Sequence, residues 1–178
     1  MNRPRPLHGT RALRSRILRD DSGQEIAEMA LILPFLLLLV LGIVEFGSIF
    51  GTSHSLTSLG REGANIAARG APLDTVNALM LENGSEIDLA GHGGSITSRV
   101  VVQDSVPTIQ DQVATDGYTD QSRLGRPGQP AEGLTRLAGA EGASFYVVEL
   151  FYDYDDRTPL RRLLGSTVPE VLYSRAVF

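Results

Sequence analysis

The feature that most constrains this chain is an apolar segment near its N-terminus, residues 26–50, which reads "IAEMALILPFLLLLVLGIVEFGSIF". At about 1.5 Å per residue these residues form about 37 Å of helix, enough to cross a hydrocarbon core of about 30 Å with some tilt. A secretory signal has a shorter apolar region of about 7–15 residues, followed by a small-x-small site. We therefore expect residues 24–50 to be one permanent transmembrane helix in a lipid bilayer.

Charge is distributed unevenly on the two sides of this segment. Its N-terminal side carries six arginines and no acid before Asp20, whereas ten arginines and sixteen acids follow Phe50. The positive-inside bias then predicts that the basic leader, residues 1–23, is cytoplasmic and that the acidic remainder is extracytoplasmic. The remainder has no basic patch, so we expect no nucleic-acid partner.

Residue types that carry chemistry are sparse in the chain. It has no cysteine and three histidines without ligand spacing, which excludes disulfides, thiolate metal sites and cysteine nucleophiles. We expect no enzyme, no catalytic residues and no cofactor. The carboxylates of Asp153, Asp155 and Asp156 could gather calcium, but the turn glycine and closing carboxylate of a calcium loop are missing, which favours a solvated strand end.

Two carboxylates accompany the apolar segment, Glu28 at its start and Glu45 near its end. Ionisable residues in a membrane cost about 2.5–3.5 kcal/mol at mid-bilayer and usually mark function. For Glu45, emergence into water and a role in assembly are both open.

Pro34 removes a backbone donor and kinks or locally opens a helix. Gly47 and Gly51, spaced as Gly-x-x-x-Gly, allow a second helix to approach closely.

The position of Glu28 relative to Gly23 carries more information than hydrophobicity. Glu28 is the fifth residue after Gly23, and the segment follows the pattern G-x-x-x-x-E-φ-A-L-φ-L-P-φ-L-L-L-L-φ-φ-G-I-φ-E-F-G, where φ is apolar. This arrangement resembles the N-terminus of the TadE-like pseudopilins of tight-adherence (Flp-type) pilus systems, which are similar to type IV prepilins. The resemblance continues into Arg-Glu-Gly-Ala at residues 61–64 and becomes general in shape after Gly70.

The resemblance implies a bacterial inner-membrane precursor that a prepilin peptidase cleaves between Gly23 and Gln24. Cleavage would expose a new α-amino group on Gln24, which has a pKa of about 7.7–8.0 and is mostly charged. Glu28 could pair with that group on a neighbouring subunit, with Pro34 and Glu45 in the same assembly helix. Implied partners are the peptidase, other pseudopilins and pilus-assembly membrane proteins. The alternative is an uncleaved single-pass anchor whose extracytoplasmic domain binds partners.

Periodicity predicts the fold of the exported part. Apolar and small residues at three- and four-residue intervals extend the helix through residues 51–70, to about Arg69. A second helix is predicted over residues 71–84, with Pro72 near its first turn and Asn83-Gly84 as its stop, and the glycines of residues 91–94 then break the chain. Strands are predicted at residues 95–104, 144–155 and 170–178, with a short helix at residues 157–166 before the last strand.

A long polar segment rich in glycine and proline separates the first two predicted strands. We expect residues 117–133 to form an exposed or mobile contact surface, with a disordered excursion as the alternative. The predicted fold class is α+β. A long N-terminal transmembrane helix extends outward and packs against a small antiparallel sheet of three to four strands, in the manner of pilins, within an extracytoplasmic domain of residues 71–178.

Overall fold

A computed structural model describes residues 21–119, 121–134, 140–154 and 169–178. The basic leader up to residue 20, the short helix predicted at residues 157–166, Asp155 and Asp156 lie outside the described residues. The contacts divide the chain into two compact units, residues 1–43 and 44–178. In the first unit the described part is helical, and the second unit contains the sheet.

Helix α1 (Asp21–Ala68) runs through Pro34 without interruption and ends one residue before its predicted end. From residue 45 onward its buried positions recur mostly every three or four residues, which places them on one face of the helix. Among them, Leu56, Ala64 and Ala67 are at most 1% exposed and pack with Val148 and Leu150 of the sheet. The predicted α+β plan, with a long helix packed against an antiparallel sheet, is confirmed.

Helix α2 (Leu73–Asn83) follows Pro72 and packs against both α1 and the sheet. A buried amide joins the helix to the sheet. The Asn77 side chain donates to the Val113 carbonyl (2.8 Å) and accepts from the hydroxyls of Ser95 (2.8 Å) and Thr97 (2.7 Å). These three bonds satisfy most of the amide, so its burial costs little. A 3-10 turn (Gly84–Ile87) and the short helix α3 (Leu89–His92) then lead to the sheet.

The sheet has four antiparallel strands, β1 (Gly93–Gln103), β2 (Val106–Ala114), β3 (Ser144–Asp153) and β4 (Val171–Val177), in the order β2-β1-β3-β4. The sequence pattern does not predict β2, because Pro107 and the polar run 110–112 weaken its strand signal. At the edge of a sheet both are tolerated, since a missing backbone donor can face outward. Gln110 is the extra residue of a bulge opposite Arg99 and Val100.

Glycines 93 and 94, predicted to break the chain, are instead the first residues of β1. They pair with Tyr152 and Phe151 of β3. A Cβ on Gly93 would collide with the Phe151 carbonyl oxygen, and one on Gly94 would collide with the Tyr118 ring. Glycine at both positions therefore allows the β3 backbone and the Tyr118 ring to approach the start of β1.

Residues 121–134, most of which fall in the segment predicted to be a long loop, contain no helix or strand, and most of their side chains are exposed, but three of them cover the sheet as a second layer. Leu124, Ala131 and Leu134 are at most 2% exposed and pack against Val100, Ile109 and Val147 on the face opposite α1. The segment also hydrogen-bonds along β2: Ile109 N donates to Gln129 O (3.0 Å), Gly128 N to Ile109 O (2.8 Å) and Ala131 N to Pro107 O (2.7 Å). Its three apolar side chains are few but well spaced, which a composition-based reading overlooks.

Candidate functional site

The predicted cleavage and docking residues lie close together at the start of α1. Gly23, Gln24 and Glu28 are helical and exposed, and a side chain at Gly23 would meet no atom within 4 Å. The Gln24 amide donates to Glu28 Oε1 at 3.0 Å, one helical turn away. This bond orients the carboxylate on the surface of the helix, where a group from another chain can reach it.

Residues 26–50 expose an apolar surface that water does not solvate favourably. Ile26, Leu31, Phe35, Ile43 and Phe50 are 65–72% exposed, and large apolar side chains surround them on the helix. Within the described residues, one helix is long and apolar enough to cross a membrane by length and composition, with a mean hydropathy of 2.7 over 18 residues. This is consistent with a single-pass membrane anchor, since an all-apolar helical surface is stable in lipid.

Glu45 differs sharply from Glu28 in its surroundings. Its side chain is 1% exposed, on the same helical face as Thr52 and Leu56. The alternative in which Glu45 simply emerges into water is therefore wrong for the described structure. Glu45 belongs to the same sequence pattern as Gly23 and Glu28, but unlike them it is buried, and it lies in the second unit.

The remaining predicted residues of the helix lie at its surface. Pro34 is exposed, and Gly47 and Gly51 are exposed on one side of α1, where a Cβ added at either glycine would meet no atom within 4 Å. Glu45 lies on the buried face and so does not join them. This open Gly-x-x-x-Gly surface leaves room for a second helix, and helix pairing through it stays a prediction.

A buried carboxylate on β3 accepts three hydrogen bonds, and no sequence prediction included it. Glu149 is fully buried on the face covered by residues 121–134. Its Oε1 accepts from Tyr173 Oη (2.8 Å) and from Arg123 N (3.0 Å), and its Oε2 accepts from Ser122 Oγ (2.6 Å). Three donors compensate the loss of water around the carboxylate. They also fasten the second layer to β3 and β4.

The phenol of Tyr173 is held in its neutral form by this arrangement. Burial raises its pKa well above the ordinary value of about 10, and the hydrogen bond to Glu149 and the Glu149 charge raise it further. Arg175 and Arg123 oppose these effects. The Arg123 guanidinium lies 4.2 Å from the centre of the Tyr173 ring. This cation–π contact adds to the interactions that attach the second layer to β4.

The acidic cluster considered for calcium is only partly within the described residues. Asp153 ends β3 and is exposed, and Tyr118 Oη donates to its Oδ2 at 3.5 Å. Burial raises the pKa of Tyr118, with further contributions from the charge of Asp153 and from this hydrogen bond. No group of three His, Cys, Asp or Glu side chains in the described part of the chain could hold a metal ion.

Two features that sequence reasoning missed had detectable signals. Alternation along "SFYVVELFYD" places Glu149 on the same face as Val147 and Phe151, which marks it as a buried acid in an apolar strand. Asn77 falls on the otherwise apolar buried face of α2, with Val76 and Met80. Buried polar groups in such positions are hydrogen-bonded, so both patterns predict a partner on a neighbouring element.

Comparison with known proteins gives one match. Residues 23–65 match the family model described as TadE-like protein, so the resemblance to this family is confirmed over that region. The match begins at Gly23 and ends after Arg-Glu-Gly-Ala at residues 61–64. It lies within α1 and includes none of the sheet. No curated protein and no solved structure matches the chain.

Proposed function

We propose that this chain, whose N-terminal region matches the TadE-like family, is a minor pilin-like subunit that functions in the assembly of a tight-adherence pilus. In this proposal the precursor inserts into the bacterial inner membrane with its arginine-rich leader in the cytoplasm. A prepilin peptidase cleaves it between Gly23 and Gln24, and the mature helix then packs with those of other pseudopilins and of assembly proteins in the membrane. The family is associated with pili and is not known for enzymatic activity.

The observation that carries the proposal is the spacing of Gly23 and Glu28 at the start of an exposed apolar helix. Glu28 lies one turn beyond the proposed new amino terminus, and its carboxylate is exposed and oriented by Gln24. In a packed bundle of such helices, an α-ammonium group would need a counter-charge in a medium of low dielectric constant. Glu28 of a neighbouring subunit supplies that charge and thereby sets the axial register between subunits.

A second function is favoured by a different observation. The second unit has its own buried core and a highly hydrogen-bonded layer around Glu149, as expected of a stable domain that presents a surface. In this alternative the chain stays an uncleaved single-pass anchor, and its extracytoplasmic domain binds partners. The two functions differ in the state of the N-terminus.

Mass spectrometry of the N-terminus tests the processing step. The chain is expressed with and without the prepilin peptidase of the same system, and the membrane fraction is analysed. We expect a chain that begins at Gln24 only when the peptidase is present. A Gly23→Val variant should remain uncleaved, whereas Gly42→Ala, at a glycine with open space around it in the apolar segment, should be processed normally. An intact leader in the presence of the peptidase contradicts the processing step and supports the uncleaved anchor.

A charge-neutralising pair tests the docking role of Glu28. Glu28→Gln keeps the size of the side chain but removes its charge, and Glu25→Gln does the same on an exposed neighbouring residue outside the glycine-to-glutamate pattern. We expect both variants to insert into the membrane and only Glu28→Gln to lose pilus-dependent adherence. Equal adherence of the two variants would remove the case for an assembly role.

A further inference from the structure

We infer that a cleft between α2 and the ends of β1 and β2 binds the cationic side chain of a partner protein, an arginine in particular. The cleft has a volume of about 410 Å³, within the range of about 300–1,000 Å³ of ligand sites. It lies wholly within the second unit. The inference does not depend on cleavage of the leader or on assembly of a pilus.

The cleft combines an apolar wall with two carboxylates from separate elements. Ala78, Leu81, Val113 and Ala114 contribute apolar surface, Asp74 is in the first turn of α2, and Asp116 follows β2. A bare inorganic ion is not the best-fitting occupant, because it would leave the apolar atoms of this wall in contact with water. A cation on an aliphatic stem covers both kinds of surface.

Neither carboxylate is neutralised by a cation within the described residues. The ion pairs found there join His92 to Asp88 and Arg99 to Asp111, and neither pair is in the cleft. Asp74 Oδ1 accepts from the Thr75 backbone at 2.8 Å, which leaves its other oxygen available. The cleft therefore has a negative charge that a partner can complement.

Arginine fits this arrangement better than lysine. Its planar guanidinium has five donors in a fixed geometry and can bond to two carboxylates from different directions, whereas an ammonium is a single point charge. The buried polar group beneath the cleft does not compete for the ligand, since Asn77 already donates to Val113 and accepts from Ser95 and Thr97. The carboxylates of Asp74 and Asp116 are thus the recognition groups.

A single thiol tests the occupant of the cleft. The chain has no cysteine, so Ala78→Cys places a unique thiol in the full-length protein, which is studied in detergent micelles. The rate of maleimide labelling is measured with N-acetylarginine amide and with its neutral isostere, N-acetylcitrulline amide. Methylguanidinium, which has the cationic head without the stem, is the third probe. A Thr57→Cys protein has its thiol at an exposed position of α1, and it controls for direct effects of the probes on the maleimide reagent.

We expect the arginine probe to slow labelling at position 78 in a saturable way and to have no effect at position 57. The other two probes should protect more weakly. Asp74→Asn and Asp116→Asn, made in the Ala78→Cys protein, should each weaken protection about two- to five-fold, as expected for one exposed ion pair. Glu82→Gln, an exposed acid on the same helix but outside the cleft, should leave protection unchanged.

Three results would overturn the inference. Equal protection by the citrulline probe would show that charge is not recognised, and equal protection by methylguanidinium would show that the apolar wall takes no part. Unchanged protection in both aspartate variants would remove these carboxylates from the site. Cleavage of the leader does not affect position 78, so failure here is distinguishable from failure of the proposed pilus function.

Discussion

Gly63 of α1 lies so close to Met80 of α2 that a Cβ on the glycine would come within 2.7 Å of the Met80 sulfur. Both residues belong to the buried face where the two helices meet, and Met80 is fully buried. Within Arg-Glu-Gly-Ala at residues 61–64, the glycine and Ala64 are buried and the two charged residues are exposed. The small residues of this stretch are therefore explained by the approach of α2.

A larger residue at position 63 should separate the two helices. We expect Gly63→Val to lower the free energy of unfolding by about 1–3 kcal/mol, because overpacking a close contact forces side chains or backbone to move. Thermal and urea unfolding of the full chain in detergent measure the change. Gly51→Ala is the matched control: its site is open, and replacing glycine by alanine in a helix stabilises by up to about 1 kcal/mol. Equal effects of the two variants would contradict the packing role.

Removal of the Glu149 carboxylate should release the second layer. In Glu149→Leu the hydroxyls of Ser122 and Tyr173 and the Arg123 amide lose their acceptor, and we expect a loss of about 2–4 kcal/mol of stability. Trypsin, which cuts after lysine and arginine, gives a local measurement. The chain has no lysine, and the bond after Arg126 resists trypsin because a proline follows it, so within residues 121–134 trypsin can cut only after Arg123.

Cleavage after Arg123 should therefore become faster in Glu149→Leu than in the wild-type chain under native conditions. The control is Glu132→Gln, an exposed acid of the same segment, which should leave cleavage slow. If both variants are cut at the wild-type rate, the hydrogen bonds to Glu149 do not hold the layer in place.

Stability should fall with rising pH because of Tyr173. Its folded-state pKa is raised above the unfolded value of about 10, so above pH 10 the unfolded chain loses this proton before the folded chain does. The unfolded state then binds fewer protons, and the free energy of unfolding decreases as pH increases. The contribution is fully present below about pH 10. Urea midpoints at pH 9 to 11 should show a smaller decline in Tyr173→Phe; parallel declines would contradict the assignment.

The turn between β1 and β2 is strained in a way that substitution can relieve. Asp104 and Ser105 both have positive φ, 51° and 64°, and their backbone amides donate to the Glu141 carboxylate at 3.0 and 3.3 Å. Two-residue hairpins of this kind favour glycine at the second position. We expect Ser105→Gly to raise the free energy of unfolding by about 0.5–1 kcal/mol. Ser144→Gly, at the start of β3, should instead lower it; a loss of stability in both would contradict the strain.

The parts of the fold that could be predicted are those in which local pattern and final environment agree. The apolar run of α1 and the β-branched runs of β1 and β3 each satisfy one period over many residues, and the pattern locates them to within a few residues. The hairpin at Asp104-Ser105 lacks the usual Asn-Gly signal, and β2 is interrupted by Pro107 and a bulge. The formation of β2 depends on its pairing with β1, which is a tertiary effect.

The site shows the same division. Gly23, Gln24 and Glu28 could be proposed from the sequence because their spacing is a linear pattern. The hydrogen bonds of Glu149 join residues 122, 123, 149 and 173, which are brought together only by folding. Glu45 combines both cases: its position is recognisable from the pattern, while its burial depends on how the second unit packs.

The three backbone hydrogen bonds between residues 128–131 and the outer side of β2 have a consequence for the behaviour of many copies in one membrane. An open strand at the border of a sheet is a template for the strand of another molecule, which leads to runaway β-aggregation. Here Pro107 lacks a donor, and the outward-facing backbone groups of Ile109 are already bonded to the chain itself. Copies of this chain at high local concentration are thereby protected from adding strands through β2, and contact between copies through that strand would first require these bonds to break.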